Sequence, residues 1–84
     1  MIINIEDLKK KITYRSTYRG TKEMELFISK FVKSIIQDLD LNLLEELNKL
    51  VNLDDEELIK ISESKDNQNL SKVIIKLREF KEKY

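Results

Sequence analysis

The sequence predicts an all-α fold, a compact five-helix bundle formed as a single domain over residues 1–84. Three observations predict it. Proline is absent and only one glycine occurs in 84 residues, so few positions interrupt a helix. Apolar residues recur at spacings of three and four, and β-branched residues do not alternate with polar ones. The stretches between periodic segments are short, so consecutive helices should pack antiparallel or at an angle.

Asn4 can cap the first helix, with Asp7 three residues on. Its stripe is Ile5, Leu8 and Ile12, extended by Tyr14 or the stem of Arg15, and it should end near Gly20 through a left-handed turn. The second helix, Thr21 to Asp38, carries the cleanest stripe: Met24, Phe27, Ile28, Phe31, Val32, Ile35 and Leu39. Its two phenylalanines place it at the centre of the core. A third helix starts near Asp40 or Asn42, where Asn42 and Glu45 resemble a capping box, and carries Leu43, Leu44, Leu47, Leu50 and Val51. The acidic run Asp54-Asp55-Glu56-Glu57 opens a fourth, shorter helix bearing Leu58, Ile59 and Ile61. Carboxylates in a first turn offset the helix dipole and one of them caps, whereas a calcium loop needs a glycine bend and regularly spaced ligands. Ser64 to Asn69 reads as a polar loop. The last helix begins near Leu70 and carries Val73, Ile74, Leu77, Phe80 and Tyr84.

A chain of this length buries only about 60–65% of the surface its unfolded form exposes, so the core is thin. No disulfide reinforces it, because cysteine is absent, which fits a reducing compartment. No apolar run is long enough for a membrane span, and the N-terminus resembles neither a secretory signal nor a presequence. The expectation is a complete, cytoplasmic chain with no membrane insertion. Histidine is absent too, removing the commonest general base and metal ligand, and a single glycine builds no phosphate-binding fingerprint. No catalytic, cofactor-binding or metal-ligating residue is assigned, and the chain is read as no enzyme.

Net charge is zero but unevenly spread: residues 1–33 hold eight Lys/Arg against four Asp/Glu, and residues 34–69 hold three against ten. A neutral chain with a basic first third suits docking on one acidic surface better than binding nucleic acid, which needs a broad basic patch.

The informative stretch is Tyr14 to Leu26, with two tyrosines, two arginines and the sole glycine. Arginine and tyrosine are enriched at binding hot spots. Arg15 and Arg19 share a helix face if the first helix reaches that far. A purely local reading has Gly20 making the turn and Glu23 serving as a cap partner, and the two readings can coexist.

Arg19-Gly20-x-x-Glu23 resembles the RGxxE motif of the succinate dehydrogenase assembly factors, the FAD assembly factors known in bacteria as SdhE. The bare motif arises by chance in about one or two per cent of chains this size. The context carries the resemblance. The family commonly reads Arg-Ser-x-x-Arg-Gly-Thr-x-Glu-Met-Asp-Leu, and Arg15 to Leu26 reads Arg-Ser-Thr-Tyr-Arg-Gly-Thr-Lys-Glu-Met-Glu-Leu. The likeness continues in order through Phe31, Leu47 to Leu50, Asp54-Asp55, Leu58 and Leu77-Arg78-Glu79-Phe80. Tyr18, where many members have Arg or His, Glu25, where many have Asp, and Ile61, where many have an aromatic, depart from the pattern.

The resemblance implies a five-helix chaperone that binds the flavoprotein subunit of succinate dehydrogenase, and in some bacteria that of fumarate reductase. It implies that the factor promotes covalent attachment of FAD to a client histidine and has no cofactor of its own. The implied partner-binding residues are Arg15, Tyr18, Arg19, Gly20, Glu23 and Glu25. Arg15 and Arg19 would pair with client carboxylates or carbonyls. Two other readings stand beside this one: an unrelated helical interaction module, such as an antitoxin or adaptor, and a nucleic-acid binder using Lys9, Lys10, Lys11, Arg15 and Arg19.

Overall fold

Among the described residues each α-helix opens on a short polar side chain that accepts from the backbone. A computed structural model describes residues 4–64 and 71–84. Among the described residues it contains five α-helices and no strand: α1 (Ile5–Thr17), α2 (Lys22–Ile35), α3 (Leu41–Val51), α4 (Asp55–Glu63) and α5 (Lys72–Lys83). Their N-caps are Asn4, Thr21, Asp40, Asp54 and Ser71, each satisfying N–H groups of the first turn that lack an intrahelical acceptor. The expected box on Asn42 is not used. Asp40 accepts from the Leu43 amide at 2.9 Å, which leaves Asn42 exposed inside the first turn.

α1 ends at Thr17, three residues before Gly20, with Tyr18 as its C-cap. Its buried stripe runs from half-buried Leu8 through Ile12 to Ser16, while Ile5, Tyr14 and Arg15 face outward. Ser16 replaces the expected Tyr14 because positions 8, 12 and 16 share one face. It is only 1% exposed, and its hydroxyl donates to the Thr13 carbonyl at 2.7 Å, so the buried oxygen is satisfied.

The α2 stripe is buried as its spacing predicts, but the helix tightens into a 3₁₀ turn at Ile36–Asp38. That turn advances about 120° per residue rather than 100°, so Ile36 points inward and Ile35 is left half-buried. On α4, Leu58 and Ser62 face the core, Ile61 is half-buried and Ile59 is exposed, contrary to the expectation for Ile59. The expected loop from Ser64 to Asn69 and the expected start at Leu70 lie outside the described residues, apart from Ser64, which caps the C-terminus of α4.

One core joins the helices. α1 packs on α2 and α3, and α5 packs on α3 and α4. Ile12, Ile28, Phe31, Val32, Leu44, Leu47, Val51, Leu58, Val73 and Leu77 fill it. Phe80 of α5 reaches α2, with ring centroids 5.9 Å from Phe27 and 5.6 Å from Phe31. The radius of gyration is 12.3 Å, against about 12 Å for a compact chain of this length. Among the described residues no helix is long and apolar enough to cross a membrane.

Candidate functional site

The connection between α1 and α2 is only four residues, Tyr18 to Thr21. The last turn of α1 closes with the Tyr18 amide donating to the Tyr14 carbonyl, and Thr21 Oγ1 then accepts from the Met24 amide to start α2. Arg19 and Gly20 are therefore held between two fixed helix ends. They face a second connection, the one between α3 and α4.

The Arg19 guanidinium fills the space between the two connections. Its Nε donates to Asp55 Oδ1 at 2.9 Å, Nη1 to the Val51 carbonyl at 2.6 Å, and Nη2 to the Leu53 carbonyl at 2.6 Å. Its side chain is 6% exposed. Val51 closes α3, where carbonyls lack intrahelical donors and the helix end is negative, so a cation is favoured there. Asp55 opens α4, where the helix end is positive and favours a carboxylate. One guanidinium thus satisfies the end of one helix while pairing with the first residue of the next.

Asp55 also holds Gly20. Its Oδ2 accepts from the Gly20 amide at 2.9 Å. A Cβ built on Gly20 would stand 2.8 Å from that same oxygen, well inside van der Waals contact. The backbone φ of Gly20 lies outside the left-handed region, so the expected left-handed turn is not the reason for glycine here. Glycine instead lets the Asp55 carboxylate approach its amide closely, and a Cβ there would make that carboxylate shift.

The acidic run therefore divides its work. Asp54 caps α4 by accepting from the Glu57 amide at 2.8 Å, Asp55 clamps the opposite connection, and Glu56 lies 3.7 Å from Lys60 on the surface. The cap was legible in the sequence, but the reach of Asp55 across 36 residues to Arg19 was not. The available signal was that a helix start needs one capping acid and this one offers two adjacent aspartates.

Around this clamp the expected binding residues separate. Arg15, Tyr18, Arg19 and Gly20 line one shallow depression with Val51 to Asp55. Arg15 is exposed, and Tyr18, 69% exposed, lies against Tyr14 with ring centroids 4.5 Å apart. Arg19 belongs to the same depression, but its guanidinium is turned inward and engaged. Glu23 lines a different groove with Met24, Phe27, Ile59 and Tyr84, and Glu25 is half-buried on α2. Glu23 is not a cap partner. Thr21 is the cap, so the reciprocal position three residues on is Met24. No group of three or more metal-binding side chains occurs among the described residues.

The profile of a protein family described as "Flavinator of succinate dehydrogenase" matches residues 10–81. That span runs from α1 through nearly all of α5 and contains the whole clamp. The chain belongs to this family. Its members are assembly factors for the flavination of succinate dehydrogenase, so the reading of an unrelated helical interaction module gives way. Comparisons with curated proteins and with solved structures returned no match.

Proposed function

We propose that the chain binds the flavoprotein subunit of succinate dehydrogenase and promotes covalent attachment of FAD to it without performing the chemistry itself. Family membership across residues 10–81 carries this reading. The sequence agrees with the division of labour, since the factor has neither histidine nor cysteine to accept a flavin. FAD and the accepting histidine belong to the client, and bond formation is flavin chemistry. The factor contributes differential affinity: it binds the client state in which flavin and histidine are aligned more tightly than the others, and so raises that state's population.

The docking epitope comprises Arg15, Tyr18, Arg19, Gly20, Glu23 and Glu25, in distinct roles. Arg15 and Tyr18 meet the client directly, as exposed residues of hot-spot type. Glu23 has no ion pair or hydrogen bond among the described residues and is open to a client donor. Arg19 positions the epitope from within, and Gly20 lets Asp55 close the clamp. A standard interface of about 800 Å² per partner is about an eighth of the 6097 Å² surface. The fumarate reductase flavoprotein is a second client under the same proposal.

The test is covalent flavin on the large subunit, read as in-gel fluorescence, in cells lacking their own factor. The unmodified chain should restore the fluorescent band of the succinate dehydrogenase subunit. Absence of the band, with the chain expressed and folded and the client present, would overturn the proposal.

A further inference from the structure

Some surface cations here are paired, while others, Lys22, Lys33, Lys49 and Lys76 among them, make no ion pair among the described residues. Lys9 donates to Gln37 at 3.0 Å, Lys60 lies 3.7 Å from Glu56, and Lys81 lies 2.7 Å from Glu63. Lys10, Lys11 and Arg15 are exposed and make no ion pair among the described residues.

These three cations lie together. With Tyr14 they form the α1 wall of a groove of about 710 Å³, whose α3 wall is Asn48 and Asn52. No carboxylate lines it. Asn52 Nδ2 donates to the carbonyl and side-chain oxygen of Asn48 at 2.8 and 3.3 Å, which leaves the Asn48 amide N–H groups and the Asn52 oxygen for a visitor. The groove continues past Arg15 to the Tyr14–Tyr18 pair, whose rings are tilted by 38°. In a chain of zero net charge, three cations facing one groove repel each other and gain when an anionic partner enters.

We propose that this α1–α3 groove receives an extended acidic segment of the client flavoprotein. Its carboxylates pair with Lys10, Lys11 and Arg15, and its backbone hydrogen-bonds to Asn48 and Asn52. The inference rests on the function proposed above and names how the client is held. Lys10 and Arg15 are separated by about 7.5 Å along the helix axis. Side chains on one face of an extended chain repeat every ~6.7 Å, so the spacing selects acids at alternate positions, acid-x-acid. A nucleic-acid backbone fits less well: it needs a broad basic surface, whereas α4 beside this region opens on four acids.

The experiment measures binding of the full chain to the isolated flavoprotein subunit, with Lys10→Glu/Lys11→Glu as the variant and circular dichroism as the control for folding. The reversal should weaken binding about tenfold or more and flatten its salt dependence. Lys10→Gln/Lys11→Gln, which adds no new repulsion, should weaken it about threefold to tenfold and serves if the reversed variant fails to fold. Zero-length carbodiimide cross-linking of the unmodified chain should join Lys10 or Lys11 to one acid-x-acid stretch of the client. If the unmodified chain binds and the folded charge variants bind equally well, the groove is not the docking site, while the proposed function stands. If the unmodified chain does not bind the flavoprotein at all, both proposals fall. Displacement of the client from the groove by a DNA duplex or by FAD alone at comparable concentration would also overturn the acidic-segment assignment.

Discussion

Arg15 and Arg19 lie one helical turn apart in sequence and line the same depression, yet one side chain is exposed and the other is turned inward. On the inner side, the Arg19 guanidinium meets a carboxylate, the Val51 carbonyl at the end of α3 and the Leu53 carbonyl of the following connection, and is almost sealed from solvent. On the outer side, Arg15 joins Lys10 and Lys11 along a groove with no carboxylate. The cause is where α1 ends. A helix continued to Gly20 would put both arginines on one face, whereas termination at Thr17 turns Arg19 under the junction. The difference teaches that a short stretch of sequence can mix residues that build a surface from within with residues left exposed on it.

Substitutions can break or sharpen this contrast. The largest expected effect sets the scale and touches neither side. Phe31→Ala should cost about 3–5 kcal/mol in urea unfolding, because it empties the centre of a thin core. The inner side should come next. Asp55→Ala leaves the Arg19 cation without its carboxylate and should cost about 2–4 kcal/mol. The value is below that of a fully buried pair because the Asp55 side chain is 24% exposed. Its neighbour provides the control, since Asp54→Ala removes only a cap and should cost about 1 kcal/mol. Equal losses at the two aspartates would show that the clamp contributes nothing beyond helix initiation.

Gly20→Arg should fall between the two sides. Its Cβ pushes Asp55 off the Gly20 amide, for a loss of about 1–2 kcal/mol, comparable to one hydrogen bond to a charged group. Flavinylation should fall much further than that loss explains, when measured on folded protein at a temperature well below its melting point. Full activity in the folded variant would remove Gly20 from the epitope. The smallest effect on stability should be on the outer side. Arg15→Ala should change unfolding by about 0.5 kcal/mol or less, while weakening client binding by about tenfold. Comparable stability losses from Arg15→Ala and Asp55→Ala would erase the distinction between the two sides.

The helices were legible because their signals are local. Stripes at spacings of three and four placed all five helices, and the polar residues preceding α1 and α4 marked their starts. What escaped depends on contacts between distant segments. Ile59 and Ile61 carry the same side chain, and packing against the other helices decides which is exposed. The inward turn of Ile36 follows from a change of winding that its own residue type does not signal. At the candidate site, the resemblance singled out Arg15 and Arg19 together, but not that one side chain is exposed and the other buried. Arg19 is as cationic as Arg15 in sequence, and the carbonyls that engage it lie 32 and 34 residues away.

The same long reach bears on the order in which the molecule assembles. Most contacts in a helical bundle are local, and such contacts form early because little chain entropy is lost in closing them. Arg19 can engage only after α3 and α4 are both in place, since its acceptors straddle their connection. Its bonds therefore belong to the late side of the folding barrier. Weakening them should speed unfolding while leaving refolding nearly unchanged. Arg19 is in this sense a latch on an already folded bundle, and the lifetime of the native chain, more than its speed of formation, depends on it.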